Sequence, residues 1–144
     1  MKAVIQRVKE AKVVVAGEVI GMIGKGILVF LAVEKTDTPA VVEPLVRKIT
    51  QLRIFPGPAN VPMDQNVFEV NGEILVVSQF TLAADLSKGN RPSFDQAAPP
   101  EQAEALYDSF VGFLRKTPCR VATGKFRAMM DVVLVNDGPV TFIL

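Results

Sequence analysis

No histidine occurs anywhere in the 144 residues. That absence removes the Ser-His-Asp and Cys-His nucleophile systems, histidine zinc ligation and the commonest general base together. Cysteine is nearly missing too: Cys119 stands alone, so neither an internal disulfide nor a thiolate metal cluster is available. The longest apolar run, Ile27 to Val33, is far too short for a membrane span. The opening Met1-Lys2-Ala3-Val4-Ile5-Gln6-Arg7 carries a basic residue but neither the apolar stretch nor the cleavage site of a signal peptide. A cytoplasmic protein without a membrane partner is the expectation. Gly21 and Gly24-Lys25-Gly26 do not give dinucleotide or P-loop spacings. An enzyme built from this chain must use backbone donors, hydroxyls, amides, carboxylates or Lys/Arg, or borrow a group from its substrate. No metal and no cofactor is expected.

What is present describes an ordinary globular protein. Apolar residues make up 49% and charged residues 22% of the chain, which excludes disorder by composition. The length suits one domain over residues 1–144. Net charge is +1, which neither demands nor forbids an anionic partner. Lys2, Arg7, Lys9 and Lys12, then Lys88 and Arg91, then Arg115, Lys116, Arg120, Lys125 and Arg127 form basic groups along the chain. Solvated faces explain them more readily than a nucleic-acid patch.

Strands are expected at Ala3 to Val8, Lys12 to Val15 and Glu18 to Ile23, with a hairpin turn at Ala16-Gly17. Ile27 to Val33 reads as a strand buried on both faces. Thr38-Pro39 offers a helix start, and Val42, Leu45, Val46, Ile49 and Leu52 continue at helical spacing. Pro44 either kinks this helix or marks where its regular part begins. Pro56, Gly57, Pro58, Asn60 and Pro62 mark a loop. A second helix opens at Pro99-Pro100-Glu101 and presents Ala103, Leu106, Phe110, Phe113 and Leu114. Glu73 to Leu82, Asp131 to Val135 and Val140 to Ile143 are further strands. Two main helices against many strands indicate an α+β fold with curled sheets over a shared core.

Two segments carry candidate chemistry. Ser78, Gln79 and Thr81 end a strand that is apolar from Ile74 onward. They either reach the surface there or, with Phe80, present backbone N–H groups and hydroxyls that polarise a carbonyl. Gly138-Pro139 lies between the last two strands. It is either a tight hairpin or a rigid element with another task, because Asp137-Gly138 would suffice for a turn and Pro139 cannot donate to a ladder.

Together, Ser78-Gln79-Phe80-Thr81-Leu82 and Asn136-Asp137-Gly138-Pro139-Val140-Thr141 resemble the signature of the D-aminoacyl-tRNA deacylases, also called D-tyrosyl-tRNA(Tyr) deacylases. The resemblance extends to Ala3 through Val8, Leu52-Arg53-Ile54-Phe55, Lys88 through Phe94, Ala97-Ala98-Pro99-Pro100, and Thr123 through Met130. Two departures stand out: Arg127 where glycine is expected after Phe126, and the proline-rich loop from Pro56 to Gln65.

The resemblance implies a homodimer with barrel-like, mixed or antiparallel sheets. It implies a carboxylic ester hydrolase acting on the aminoacylated 3′ end of tRNA, cleaving D-aminoacyl-tRNA and glycyl-tRNA mischarged on tRNA(Ala). It further implies a cis Gly138-Pro139 element that enters the partner's site and rejects L-aminoacyl esters. Arg7 would hold that element, while Phe126 and Met130 would line the pocket. Catalysis would rest on the backbone around Gln79, Phe80 and Thr81 with help from the substrate's ribose hydroxyl; Thr81 as nucleophile is the competing mechanism. An RNA-binding module around Lys88 and Arg91, or a purely structural dimerisation domain, are readings that leave Ser78 to Thr81 unexplained.

Overall fold

In the computed structural model, which describes residues 1–144, the two strands expected at the start are one, β1 (Lys2–Val15). Its two halves feed different layers. Ala3 and Ile5 join the larger core, whereas Val8, Ala11 and Val13 join a smaller one. The register of β1 shifts beyond Val8, which places Ala11 and Val13 on the face of Val8 although strict alternation would put them opposite. Lys9 and Glu10, exposed at the shift, explain why the pattern reads as an interruption.

The expected hairpin joins β1 to β2 (Glu18–Ile23). Its central residues, Ala16 and Gly17, have φ of 50° and 86°, the left-handed pair that a two-residue hairpin requires. Strand β3 (Gly26–Ala32) pairs antiparallel with the first half of β1. It then pairs parallel with β4 (Glu73–Ser78), which pairs parallel with the short β5 (Val121–Thr123). The sheet is therefore mixed. It curls until β2 approaches β5: a Cβ added at Gly21 would lie 2.4 Å from the Thr123 carbonyl oxygen. That close approach nearly closes the sheet into a barrel.

Helix α1 (Val42–Gln51) follows a 3-10 turn at Pro39–Val41, whose cap position is Thr38 without a side-chain hydrogen bond. Pro44 lies in the first turn of α1, where its missing N–H has no intrahelical acceptor to lose, so no kink is needed. Helix α2 (Pro100–Arg115) buries Leu106, Tyr107, Phe110, Val111 and Leu114. Both helices cover one face of the sheet. There Ile27, Val29, Leu31, Ile74 and Val76 meet Val46, Ile49 and Phe110 in the larger core, while Leu28, Leu75 and Val77 point to the other face. The two-residue period of β3 and β4 thus feeds both layers and accounts for their unbroken apolar sequences.

The last strand corrects the sequence reading. Asp131 to Ile143 is one strand, β6, and both of its halves pair with β1. Gln6 pairs with Thr141 and Val8 with Asn136, so Arg7 alone stands opposite Asp137, Gly138, Pro139 and Val140. The segment is a wide bulge, not a hairpin. Bulged edge strands are where a sheet tolerates proline.

Candidate active site

Strand β4 ends at Ser78, four residues before the expected end at Leu82; the Gln79 N–H makes the last rung of the parallel ladder by donating to the Leu31 carbonyl at 2.8 Å, and the chain then turns away. A 3-10 turn over Phe80–Ala83 follows. Within it the Leu82 N–H donates to Gln79 and the Ala84 N–H to Thr81. The N–H groups of Phe80 and Thr81 have no acceptor in the chain, as expected at the start of a helical turn. Of the backbone donors named from the sequence, Gln79 is therefore committed to the fold, while Phe80 and Thr81 are free.

The Thr81 hydroxyl receives a hydrogen bond of 2.6 Å from Gln79 Nε2. A carboxamide is not a base in either orientation, so nothing beside this hydroxyl takes its proton. Tyr107 is no substitute. Its hydroxyl is buried and donates to the Val76 carbonyl at 3.0 Å, and burial, with Asp108 adding to it, pushes the phenol up to about 12.

Beside this turn opens a cleft of about 540 Å³ at the C-terminal end of β4. Ser78, Gln79, Phe80, Phe126 and Met130 line its wall together with Ala97, Ala98 and Ala103. Small side chains on that wall leave room for a ligand in the mouth of the barrel. Phe126 and Met130 are at once lining and core. The Phe126 ring packs 5.8 Å from that of Tyr107, and Met130 Sδ accepts from the Lys125 N–H at 3.3 Å. Phe80 is 57% exposed and rests on Phe94, the ring centroids 5.0 Å apart. This contact ties the site to the loop that an Asp85–Ser93 bridge closes.

Gly138 and Pro139 do not reach this cleft within the same chain; they are exposed on β6 and absent from its lining. The bond between them is cis. Arg7 is placed against them but holds their neighbour. Its Nε donates to the Asp137 carbonyl at 3.0 Å and faces Asp137 Oδ2 at 2.9 Å, and Nη1 donates to the Ile54 carbonyl. The clamp therefore acts on the first residue of the bulge, rather than on the Gly138 and Pro139 carbonyls.

The family model described as D-Tyr-tRNA(Tyr) deacylase matches residues 4–144. The chain belongs to this family. A D-aminoacyl-tRNA deacylase of Geobacter metallireducens is 58% identical over 100% of this chain and 95% of the relative. One of Thermodesulfovibrio yellowstonii is 54% identical over 100% of this chain and 98% of its own. Among solved structures, a c-Myc DNA unwinding element binding protein superposes with a TM-score of 0.95 at 48% identity, covering 100% of this chain and 97% of the other. A probable eukaryotic D-amino acid tRNA deacylase shares the fold, with a TM-score of 0.87 at 20% identity over 99% and 97% of the two chains.

Within the family frame, one lining residue, Met129, is not singled out by the sequence, and another, Arg127, stands out there as the departure from an expected glycine. Met129 is 93% exposed at the cleft, and no periodicity marks a methionine on a loop. Arg127 also lines the cleft, with φ of 60°. A departure from an expected glycine is visible in the sequence, but the backbone conformation that Arg127 has to adopt is not. No helix is long and apolar enough to cross a membrane.

Proposed function

We propose that the chain hydrolyses the ester of D-aminoacyl-tRNA in the cytoplasm, releasing tRNA and a D-amino acid, with two copies completing each site. The observation that carries the reading is the pair of unengaged N–H groups at Phe80 and Thr81 beside an apolar cleft. The ester carbonyl oxygen would accept from both. As the carbonyl carbon is attacked, charge on that oxygen grows and these fixed dipoles stabilise it; one such donor is worth about 3 kcal/mol of barrier. An aminoacyl ester is already activated, and its vicinal ribose hydroxyl assists the attack. That matches a site whose Thr81 hydroxyl lacks a base. The attacking group is water: its oxygen bonds to the carbonyl carbon, the bond from that carbon to the ribose oxygen breaks, and the ribose oxygen leaves with a proton that the water gives up.

Selection against L esters is assigned to Gly138-Pro139 of a second copy. The two enantiomers carry the same groups, so exclusion needs a wall at the α-carbon rather than an added attraction. Support comes from the bulge, where Gly138 and Pro139 are exposed and Arg7 holds the adjoining Asp137. Further support comes from β6, whose outer edge has no partner strand and exposes Val133, Val135, Phe142 and Ile143. A long apolar edge of this kind is a template for pairing with another chain.

A wall that acts on a side chain cannot exclude glycine, so glycyl-tRNA(Ala) is also a substrate. Sedimentation of the purified protein should give a dimer. Incubation with D-tyrosyl-tRNA and glycyl-tRNA(Ala) should release both amino acids. Survival of the glycyl ester at enzyme concentrations that clear the D-tyrosyl ester would contradict the wall, and a monomer active on both would contradict the shared site.

A further inference from the structure

Arg127 occupies a position that the backbone makes unfavourable for it. The Ala128 N–H donates to the Lys125 carbonyl at 3.2 Å, closing a turn in which Arg127 is the third residue. Phe126 is not among the residues with positive φ, whereas Arg127 has φ of 60°. This is the pattern of a type II turn, whose third position favours glycine or asparagine. A long β-carbon-bearing side chain held there points to a use for that side chain.

Its surroundings indicate the use. Arg127 is the one charged residue lining the cleft. Arg7, Arg47, Arg53 and Arg120 each hold a carboxylate, and Arg127 holds none. Arg91 and Arg115 are unpaired as well, but neither lines a cavity. A guanidinium that is exposed, unengaged and at the rim of an apolar cleft is a fork-shaped donor for an oxyanion. The α-ammonium of an aminoacyl ester would be repelled by it, so its partner lies outside the aminoacyl group.

Resting on the deacylase reading, we infer that Arg127 binds the phosphate preceding the terminal adenosine of the substrate and so seats the acceptor end over the cleft. The test compares wild type, Arg127→Ala, Arg127→Gly and Arg127→Lys on two substrates. One is D-tyrosyl-tRNA, and the other is the D-tyrosyl ester of adenosine, which has no phosphate. Arg127→Gly relieves the turn, so a folded variant without the guanidinium is secured. Thermal unfolding confirms that the variants remain folded.

Both the alanine and glycine variants should raise KM for D-tyrosyl-tRNA about tenfold with kcat unchanged. The log–log salt dependence of KM should flatten by about 0.7, the contribution of one phosphate contact to a single strand. Lysine should recover part of the loss, and KM for the adenosine ester should not move. An unmoved KM on tRNA in both variants overturns the assignment alone, as does an equal rise on the adenosine ester. Failure of wild type to hydrolyse either substrate overturns the deacylase reading and the assignment with it.

Discussion

Replacing Arg7 with alanine should cost stability and, under the proposed function, chiral selection together, because the same side chain braces the bulge that would supply the wall. Arg7 is 13% exposed and Asp137 33% exposed. Truncation removes the donors to the Asp137 and Ile54 carbonyls and leaves the Asp137 carboxylate without its cation. Charge-assisted hydrogen bonds contribute about 1.5 kcal/mol each at the lower end. The ion-pair contribution is discounted because Asp137 is part solvated, which leaves a loss of about 3 kcal/mol for the whole clamp. For 144 residues the unfolding entropy at the midpoint is about 0.3 kcal/mol/K, so Tm should fall by about 10 °C.

The functional consequence follows from the register. Nothing else in β1 stands opposite Asp137 through Val140, so loss of the clamp frees the bulge to shift while the free N–H groups of Phe80 and Thr81 stay in place. Hydrolysis of D- and L-tyrosyl-tRNA, measured well below the lowered Tm, should show the D-to-L rate ratio falling by more than about tenfold, since a displaced wall forfeits more than 1.4 kcal/mol of discrimination. Arg7→Lys, with one compact donor group in place of a fork, should fall between. A Tm drop below about 3 °C, or an unchanged D-to-L ratio, would refute the reasoning.

Thr81→Ala keeps the backbone N–H and removes only the hydroxyl, so kcat on D-tyrosyl-tRNA should stay within about fivefold of wild type. A loss beyond about a thousandfold would make Thr81 the nucleophile. The same tRNA ending in 2′-deoxyadenosine should be hydrolysed much more slowly, as rapid-quench measurements would show. Tyr107 is raised from its ordinary value to about 12 in the fold, so deprotonation favours the unfolded chain. The stability it supports is intact below about pH 10 and lost as pH rises through 12, by about 3 kcal/mol; urea titrations across that range should show the slope, and Tyr107→Phe should flatten it. Ala16→Asn places at φ 50° a residue that tolerates the left-handed region, and should raise Tm by about 3 °C, equivalent to about 1 kcal/mol.

Local chemistry explains most of what was legible in the sequence. Ala16-Gly17 specifies its own hairpin, the stripe of α2 specifies its buried face, and Ile27 to Val33 needs only its apolar run to be placed in the core. The misreadings arise where a distant partner decides. Asn136 to Pro139 has turn composition, yet β1 runs along both sides of it and converts the turn into a bulge. The end of β4 lies at Ser78 because the last rung to Leu31 on β3 is followed by a 3-10 turn over Phe80–Ala83, which the β-prone composition of that stretch does not announce. Val121–Thr123 is too short to signal a strand and becomes one by pairing with β4.

The site follows the same division. Ser78 to Thr81 could be located as a polar end to an apolar strand, but which amides remain free is a property of the folded hydrogen bonds. Arg7 and Asp137 are 130 residues apart in sequence, and no local pattern links them. Phe126 and Met130 each pack on a core cluster and line the cleft, so their apolar character in the sequence does not separate the two readings open to them.

The central claim is that a carbonyl-binding turn and a wall supplied by a second copy make a hydrolase that acts on one configuration. Single-turnover hydrolysis of D-tyrosyl-tRNA and L-tyrosyl-tRNA by the purified protein tests it most directly. Rapid release of D-tyrosine with the L ester left intact is the predicted result; equal rates on the two esters, or release from neither, would contradict it.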